Sequence, residues 1–338
     1  MGGPGGLLFD AIDVYSTCPQ SKDSTPERYL DEATDIARWS ESAGCHGMLV
    51  YTDNQLVDPW LVAQTIIERT ERIRPLVAVQ PIAMHPYTAA KMITSLALLH
   101  GRAVDLNMLA GGFKNDLVAL GDTTPHEDRY ERTAEYTTII TELLAGRSVT
   151  FDGRYYHVSN LSLTPRLPEE LMPKILISGS SDAGMAAAER INATAVRYPR
   201  HVDEESDVPG TYAVPVGVRV GIVARATTSE AWDEAHRRFP DDRRGQITHQ
   251  LAMKVSDSQW HRQLSSVGSN TASEDPYWLG PFENSHTFCP YLVGSYDTVA
   301  EAVARYVNVG FRTFILDIPP SEAELAHIAV VFREAVNS

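Results

Sequence analysis

The chain has 338 residues, with 29 Lys plus Arg against 44 Asp plus Glu, giving a formal net charge of −15. That acidic balance argues against nucleic acid, whose phosphates call for clustered cations, and no apolar run approaches the ~18 residues of a membrane span. A length of 338 with 43% apolar residues predicts one large α/β barrel or two average domains, with a core that needs no covalent staples. The opening Met1-Gly2-Gly3-Pro4-Gly5-Gly6 has neither the basic nor the apolar segment of a secretory leader. The three cysteines, Cys18, Cys45 and Cys289, lie too far apart for a CxxC pair. A reducing cytoplasm is the expected compartment.

Short β-branched runs alternate with longer amphipathic stretches. Leu7–Val14 reads as a strand, and Thr25-Pro26-Glu27 then opens a helix, with a capping hydroxyl, a proline at the first helical position and an acid in the first turn. That helix is expected to reach Ala43 and stop at Gly44. Gly47–Tyr51, Leu76–Gln80 and Ala103–Leu109 read as strands two to four, with helices over Pro59–Arg69 and Tyr87–His100 between them and a long one over Asp128–Leu144. The alternation pauses at a small hairpin, Val149–Phe151 and Tyr155–Val158, turned at Asp152-Gly153. Lys174–Ser178, Ala193–Val196, Val216–Ala224 and Thr313–Asp317 supply strands five to eight, with helices at Ser181–Ile191 and from Ser229 and Ser321. Eight strands, each followed by helical sequence, predict an α/β fold of the (β/α)8 TIM-like barrel type, with a doubly wound open sheet as the rival. The expected layout is a single domain over 1–338 with insertion segments near the active-site mouth, at about 147–172 and 240–292. Ser265–Asp275, rich in Ser, Asn, Thr and Gly, reads as a loop or part of a lid.

In a barrel the chemistry belongs at the carboxyl ends of the strands. Ser178-Gly179-Ser180-Ser181 joins a strand to a helix start, where free N–H groups and hydroxyls can hold a phosphate, or where a serine simply caps the helix. Asn107 stands on an otherwise apolar strand, either bonded to backbone in the core or meeting a heteroaromatic edge such as a flavin. Arg219 is a cation within Val216–Val220, to be matched by a structural carboxylate or an anionic ligand. His85 and His286 fall in loops able to reach the site, and with Arg219 they are the candidates for catalytic work. No HExxH or HxH pair sits at a strand end, so no metal is expected, and neither a GxSxG elbow nor paired carboxylates stand out.

Several segments now form a familiar succession: Asp58-Pro59-Trp60-Leu61-Val62-Ala63, Leu76-Val77-Ala78-Val79-Gln80-Pro81, Gly101-Arg102-Ala103, Glu127-Asp128-Arg129-Tyr130-Glu131-Arg132-Thr133-Ala134-Glu135-Tyr136, Phe151-Asp152-Gly153 and Ser178-Gly179-Ser180-Ser181-Asp182. Leu292-Val293-Gly294 and Gly310–Leu316 continue it. The set resembles the bacterial luciferase-like flavin monooxygenases, nearest in pattern to alkanesulfonate monooxygenase. The resemblance implies reduced FMN delivered by a separate flavin reductase, molecular oxygen and a small-molecule substrate, without nucleic acid or membrane. It implies a homodimer or homotetramer, with part of the face drawn from Leu61, Ile66, Ile67, Met92, Ile93, Leu96 and Leu99. It also implies FMN contacts at Asn107, Ala110, His126, Tyr130, Gly179, Ser180 and Ser181.

The chain departs from the sulfonate pattern at its substrate end. The Arg-x-His of the seventh strand is Arg219-Val220-Gly221 here, and the lid arginine, a cysteine near the second strand and a late tyrosine align with Ser285, Leu56 and Pro319. A substrate other than a simple alkanesulfonate is therefore expected, in the manner of a secondary-metabolite intermediate. Its pocket is expected among Tyr15, Cys18, Asn54, Gln55, Met84, His85 and Arg219, under a lid around Phe282 and His286, with an acceptor on the substrate meeting Arg219. The rival functions are a deazaflavin-dependent oxidoreductase on the same fold and a flavin-binding protein without turnover.

Overall fold

A computed structural model describes residues 12–111, 114–179, 181–205, 213–247 and 275–337. In chain order the elements begin with β1 (Asp13–Thr17), α1 (Pro26–Ala43), β2 (Gly47–Val50), α2 (Pro59–Arg69), β3 (Arg74–Val79), α3 (Pro86–His100) and β4 (Asp105–Leu109). There follow α4 (Lys114–Ala119), α5 (His126–Leu144), β5 (Val149–Asp152), β6 (His157–Leu161), β7 (Ile175–Ser178), α6 (Asp182–Ile191) and β8 (Thr194–Arg197). The described chain closes with β9 (Val216–Arg225), α7 (Thr228–Arg238), β10 (Tyr277–Trp278), α8 (Gly280–Glu283), β11 (Tyr291–Ser295), α9 (Tyr296–Asn308), β12 (Phe311–Leu316) and α10 (Glu322–Asn337). The sheet order is β10-β11-β9-β12-β1-β2-β3-β4-β7-β8, with β8 also paired to β9. The fold is thus a (β/α)8 barrel built on β1 to β4, β7, β8, β9 and β12.

Two compact units divide the chain: one of Met1–Thr17, Trp39–His46 and Val196–Ser338, the other of Cys18–Arg38 and Gly47–Ala195. In the second unit β2, β3, β4 and β7 form a parallel ladder, Leu49 opposite Leu76, Val77 opposite Leu106 and Asn107 opposite Leu176. These strands are buried nearly throughout, which is why they read as continuous apolar runs rather than alternating ones. Asp58 caps α2 by accepting from the Trp60 and Leu61 amides, with Pro59 preset for the first turn. α5 packs on α3 and α6. Its buried Arg132 donates to Asp122 over 2.6 Å. Desolvation works to raise the Asp122 pKa, but hydrogen bonds from Arg132 and Thr124 overcome it and hold the carboxyl at about 2. One turn further along α5, the buried Glu135 carboxylate accepts the backbone amides of Arg154, Tyr155 and Tyr156 at 2.8, 2.8 and 3.2 Å. That clamp fixes the hairpin made by β5 and β6, and Tyr156 extends the attachment by donating its hydroxyl to the Pro81 carbonyl at 3.2 Å.

In the first unit β9 changes partner midway. Val216–Val220 runs beside β12, and Gly221–Arg225 beside β11, both parallel. α7 starts on a reciprocal capping box between Thr227 and Glu230. It packs an aromatic cluster against β11: Trp232, Phe239, Trp278 and Tyr291 surround Val223, Val293 and Cys289. Arg225 and Arg238 share the buried Glu324 of α10, and Arg225 also reaches Glu234 at 3.7 Å.

The expected elements recur with shifted edges. The first strand was expected over Leu7–Val14; the strand observed is Asp13–Thr17, placed by its pairing with Thr313–Ile315, while residues 1–11 lie outside the described residues. Helix α3 begins one residue earlier than the pattern suggested because His85, not a serine or threonine, supplies its cap. α4, β10, α8, β11 and α9 were not expected as elements. The loop or lid at Ser265–Asp275 lies, except for Asp275, outside the described residues. Among the described residues no helix is long and apolar enough to cross a membrane.

Candidate functional site

The anion-ready end belongs to the Gly47–Ala195 unit. β7 ends at Ser178, and Ser181 caps α6 by accepting from the Gly184 amide at 3.2 Å. Its own carbonyl takes the Met185 amide at 2.9 Å. Among the described residues the amides of Asp182 and Ala183 donate to no acceptor, at the positive end of the helix, beside an exposed Asp182 carboxylate. Tyr130, from the first turns of α5, lies across this junction. A Cβ on Gly179 would stand 2.3 Å from the Tyr130 hydroxyl, so only glycine lets the strand end pass beneath the ring. Burial pushes the Tyr130 phenol above its ordinary range, opposed by a hydrogen bond with Ser181. His126 meets Tyr130 edge to face at 5.3 Å. Asn107, buried on β4, accepts from the Ser178 hydroxyl at 2.8 Å, and Ala110 is buried just beyond that strand. Asn107, Ala110, His126, Tyr130, Gly179 and Ser181 thus belong to the ends of β4 and β7 and the starts of α5 and α6, while Ser180 lies outside the described residues. The half-buried glycine seat, the capping serine and the first-turn amides fit the phosphate of a flavin mononucleotide.

The second set of polar groups belongs to the other unit. Arg219 lies on β9 just before the partner change, and its guanidinium stands 4.0 Å from the Asp317 carboxylate that follows β12. Tyr291, the first residue of β11, donates its hydroxyl to the other Asp317 oxygen at 2.7 Å. Tyr291 pairs in register with Gly221, where a Cβ would lie 2.2 Å from the ring. The histidine that the resemblance calls for at this position is therefore replaced by a glycine over which a tyrosine ring is laid. Burial raises the Tyr291 phenol well above its ordinary range, with the Asp317 charge adding to the effect. Burial likewise keeps the Cys289 thiol protonated beside Arg219.

The two histidines have partners of their own. His85 caps α3 through Nδ1, accepting from the Tyr87 amide at 3.2 Å, with its ring edge-on to Tyr156. His286 is exposed, its Nε2 3.0 Å from the Pro240 carbonyl. Phe282, expected in a lid, is buried in α8. Tyr15 and Cys18 are buried, Cys18 with its sulfur 3.9 Å from the Tyr29 hydroxyl. Asn54 is exposed and donates to the Asp116 carbonyl at 3.0 Å. Among the described residues no group of His, Cys, Asp and Glu could hold a metal ion. Asp317 and Tyr291 escaped the sequence reading, although Asp317 closes the predicted eighth strand, where a strand-end carboxylate is a signal in itself.

Comparison with known proteins agrees with this architecture. The family described as luciferase-like monooxygenase matches residues 12–313. A protein of Niallia circulans, 4-(gamma-L-glutamylamino)butanoyl-[BtrI acyl-carrier protein] monooxygenase, is 34% identical over 98% of this chain and 99% of its own length. Among solved structures, the oxygenating constituent of 3,6-diketocamphane monooxygenase from Pseudomonas putida, in complex with FMN, shares 16% identity with a TM-score of 0.70, covering 97% of this chain and 99% of that one. EDTA monooxygenase from Chelativorans sp. BNC1 shares 15% identity with a TM-score of 0.67, over 97% and 93% of the two chains. A barrel with a phosphate-ready helix start after its fifth strand is the frame of a flavin enzyme, and the chain belongs to the luciferase-like monooxygenase family. It is an enzyme, a flavin-dependent monooxygenase.

Proposed function

We propose that the chain is the oxygenase of a two-component system, taking reduced FMN from a separate reductase and using O2 to oxygenate an acyl group carried as a thioester on a carrier protein. The observation that carries the cofactor assignment is the Gly179–Ser181 junction beneath Tyr130. The substrate class rests on the 34% identity with a monooxygenase of a carrier-bound acyl chain, extending over almost the full length of both proteins. When bound, reduced FMN supplies two electrons for the activation of oxygen. Ser181, with the first-turn amides of α6, would hold the phosphate, with Tyr130 and His126 beside it, and Asn107, steadied by Ser178, would offer its amide to the flavin. The residues that meet substrate are drawn from around Arg219.

The test is anaerobic titration with reduced FMN and, in parallel, with reduced deazaflavin, followed by oxygen in the presence of an acylated carrier protein. Saturable binding of reduced FMN and one atom of labelled O2 in the acyl product are expected. Saturation by deazaflavin alone would replace the monooxygenase reading with hydride transfer. FMN binding without oxygen uptake above a flavin-only control would leave a binding protein.

Assembly as a homodimer is part of the same proposal. Of the apolar residues expected at the face, Ile66, Ile67, Ile93 and Leu96 are buried within the fold, whereas Leu61 and Leu99 are 64% and 71% exposed, with Leu98 at 68% beside them. Such side chains on adjacent helices form an apolar surface that a second copy can cover. Light scattering at micromolar protein is expected to give a dimer, and Leu98→Ser with Leu99→Ser a monomer. A monomeric parent chain would rule the face out. Three free thiols, two of them buried, suit the reducing conditions of a cytoplasm.

A further inference from the structure

The charges around β9 cancel locally. Arg219 faces Asp317, Arg225 faces Glu234 and Glu324, and Arg238 faces Glu324. Arg238 also lies over the rings of Phe239 and Tyr291, at 5.0 and 5.9 Å from their centres. The neighbouring Cys289 and Tyr291 are kept neutral by burial. An approaching anion therefore meets a paired dipole at Arg219 rather than a single positive charge, and the attraction of a guanidinium for carboxylate or sulfonate is largely spent within the protein. Hydrogen-bonding N–H groups on Arg219 are still suited to an uncharged carbonyl, because a guanidinium carries five donors.

The pairing depends on a specific exchange in the sequence. Tyr291 reaches Asp317 only because residue 221 has no side chain; any Cβ there would penetrate the ring. Phe239 packs edge-on against the same ring at 4.8 Å, which opposes its displacement on that side. We propose that Asp317, held by Tyr291 across the space left at Gly221, neutralises Arg219 and makes this cluster select a net-neutral acyl group, an amide or thioester carbonyl, over a carboxylate or sulfonate. Tyr291 and Gly221 are positioning residues in this scheme, and Asp317 determines specificity. The proposal deepens the reading of the protein as an acyl monooxygenase and rests on it for the nature of the substrate.

Direct binding to the full chain without flavin tests it, so the outcome does not depend on oxygenation. Calorimetric titration with octanamide, octanoate and 1-octanesulfonate is expected to rank the amide at least ~5-fold tighter than either anion. Asp317→Asn keeps an acceptor for Tyr291 but removes the charge. It is expected to improve the binding of both anions by ~10-fold, about 1.4 kcal/mol, and so to reverse the order. Tyr291→Phe is expected to shift the preference the same way by a smaller factor. Anion preference in the parent protein, an unchanged order in Asp317→Asn, or binding of none of the probes at millimolar concentration would each overturn the assignment. A melting experiment tests the positioning separately. Gly221→Ala is expected to lower Tm, and adding Tyr291→Ala to restore part of the loss by vacating the space. No recovery in the double variant would dismiss the proposed exchange.

Discussion

Replacing Glu135 by alanine is expected to lower the free energy of unfolding by about 3–5 kcal/mol, since a hydrogen bond to a charged group contributes ~1.5–3 kcal/mol and water recovers part of the loss at these part-buried amides. Three donors depend on this one carboxylate, the amides of Arg154, Tyr155 and Tyr156. They come from a turn about twenty positions further along the chain, so the loss is tertiary and α5 itself should remain intact. Glu135→Gln is expected to recover little, because its amide nitrogen would turn a donor toward other donors. Urea unfolding reads the loss, and limited proteolysis reads its place, with cleavage expected first between Asp152 and His157. A change under about 1 kcal/mol would mean that the turn holds itself.

The second large effect concerns the cofactor end. Gly179→Ala is expected to weaken FMN binding by about 100-fold, ~2.7 kcal/mol, within the range that overpacking a close contact costs. The added methyl group would lie 2.3 Å from the Tyr130 hydroxyl and 2.9 Å from two of its ring carbons. Tyr130 is buried and hydrogen-bonded to Ser181, so its displacement disturbs the start of α6 with it. Fluorescence titration with FMN measures the affinity, and a melting curve on the same sample shows whether the fold persists. Gly179→Ala combined with Tyr130→Phe should relieve the crowding at the hydroxyl while keeping the ring, and recover part of the affinity. Undiminished affinity in the single variant would remove this junction from the cofactor site.

The barrel was legible because buried parallel strands leave unbroken apolar runs, and because proline, aspartate and serine mark helix starts. Pro59 and Ser181 stand at or next to the boundaries observed. His85 shows what a sequence leaves open at the next level. A histidine after a strand suggests chemistry, yet an imidazole nitrogen can cap a helix as an oxygen does, and nothing local distinguishes the two uses. The segment from Tyr291 to Asn308 carries a readable helix signal, with Ser295 as a cap and Val299, Ala302, Val303 and Tyr306 at helical spacing. The Tyr291–Asp317 contact was not readable in the same way. It joins residues 26 positions apart and depends on a glycine in a third strand, so only strand pairing reveals that Gly221 and Tyr291 share a space.

The division of the chain carries a consequence for how such an enzyme can change over generations. The residues assigned to FMN, from Asn107 to Ser181, fall in one compact unit, whereas Arg219, Tyr291 and Asp317 fall in the other. Three of the four departures from the sulfonate pattern, Gly221, Ser285 and Pro319, also fall in the unit that holds Arg219. Heritable variation in that unit can explore new substrates while the residues assigned to the cofactor are left untouched. Drift of the reverse kind, around Gly179, would be purged whatever the substrate. A lineage built this way is free to diversify in what it oxidises and constrained in what it oxidises with.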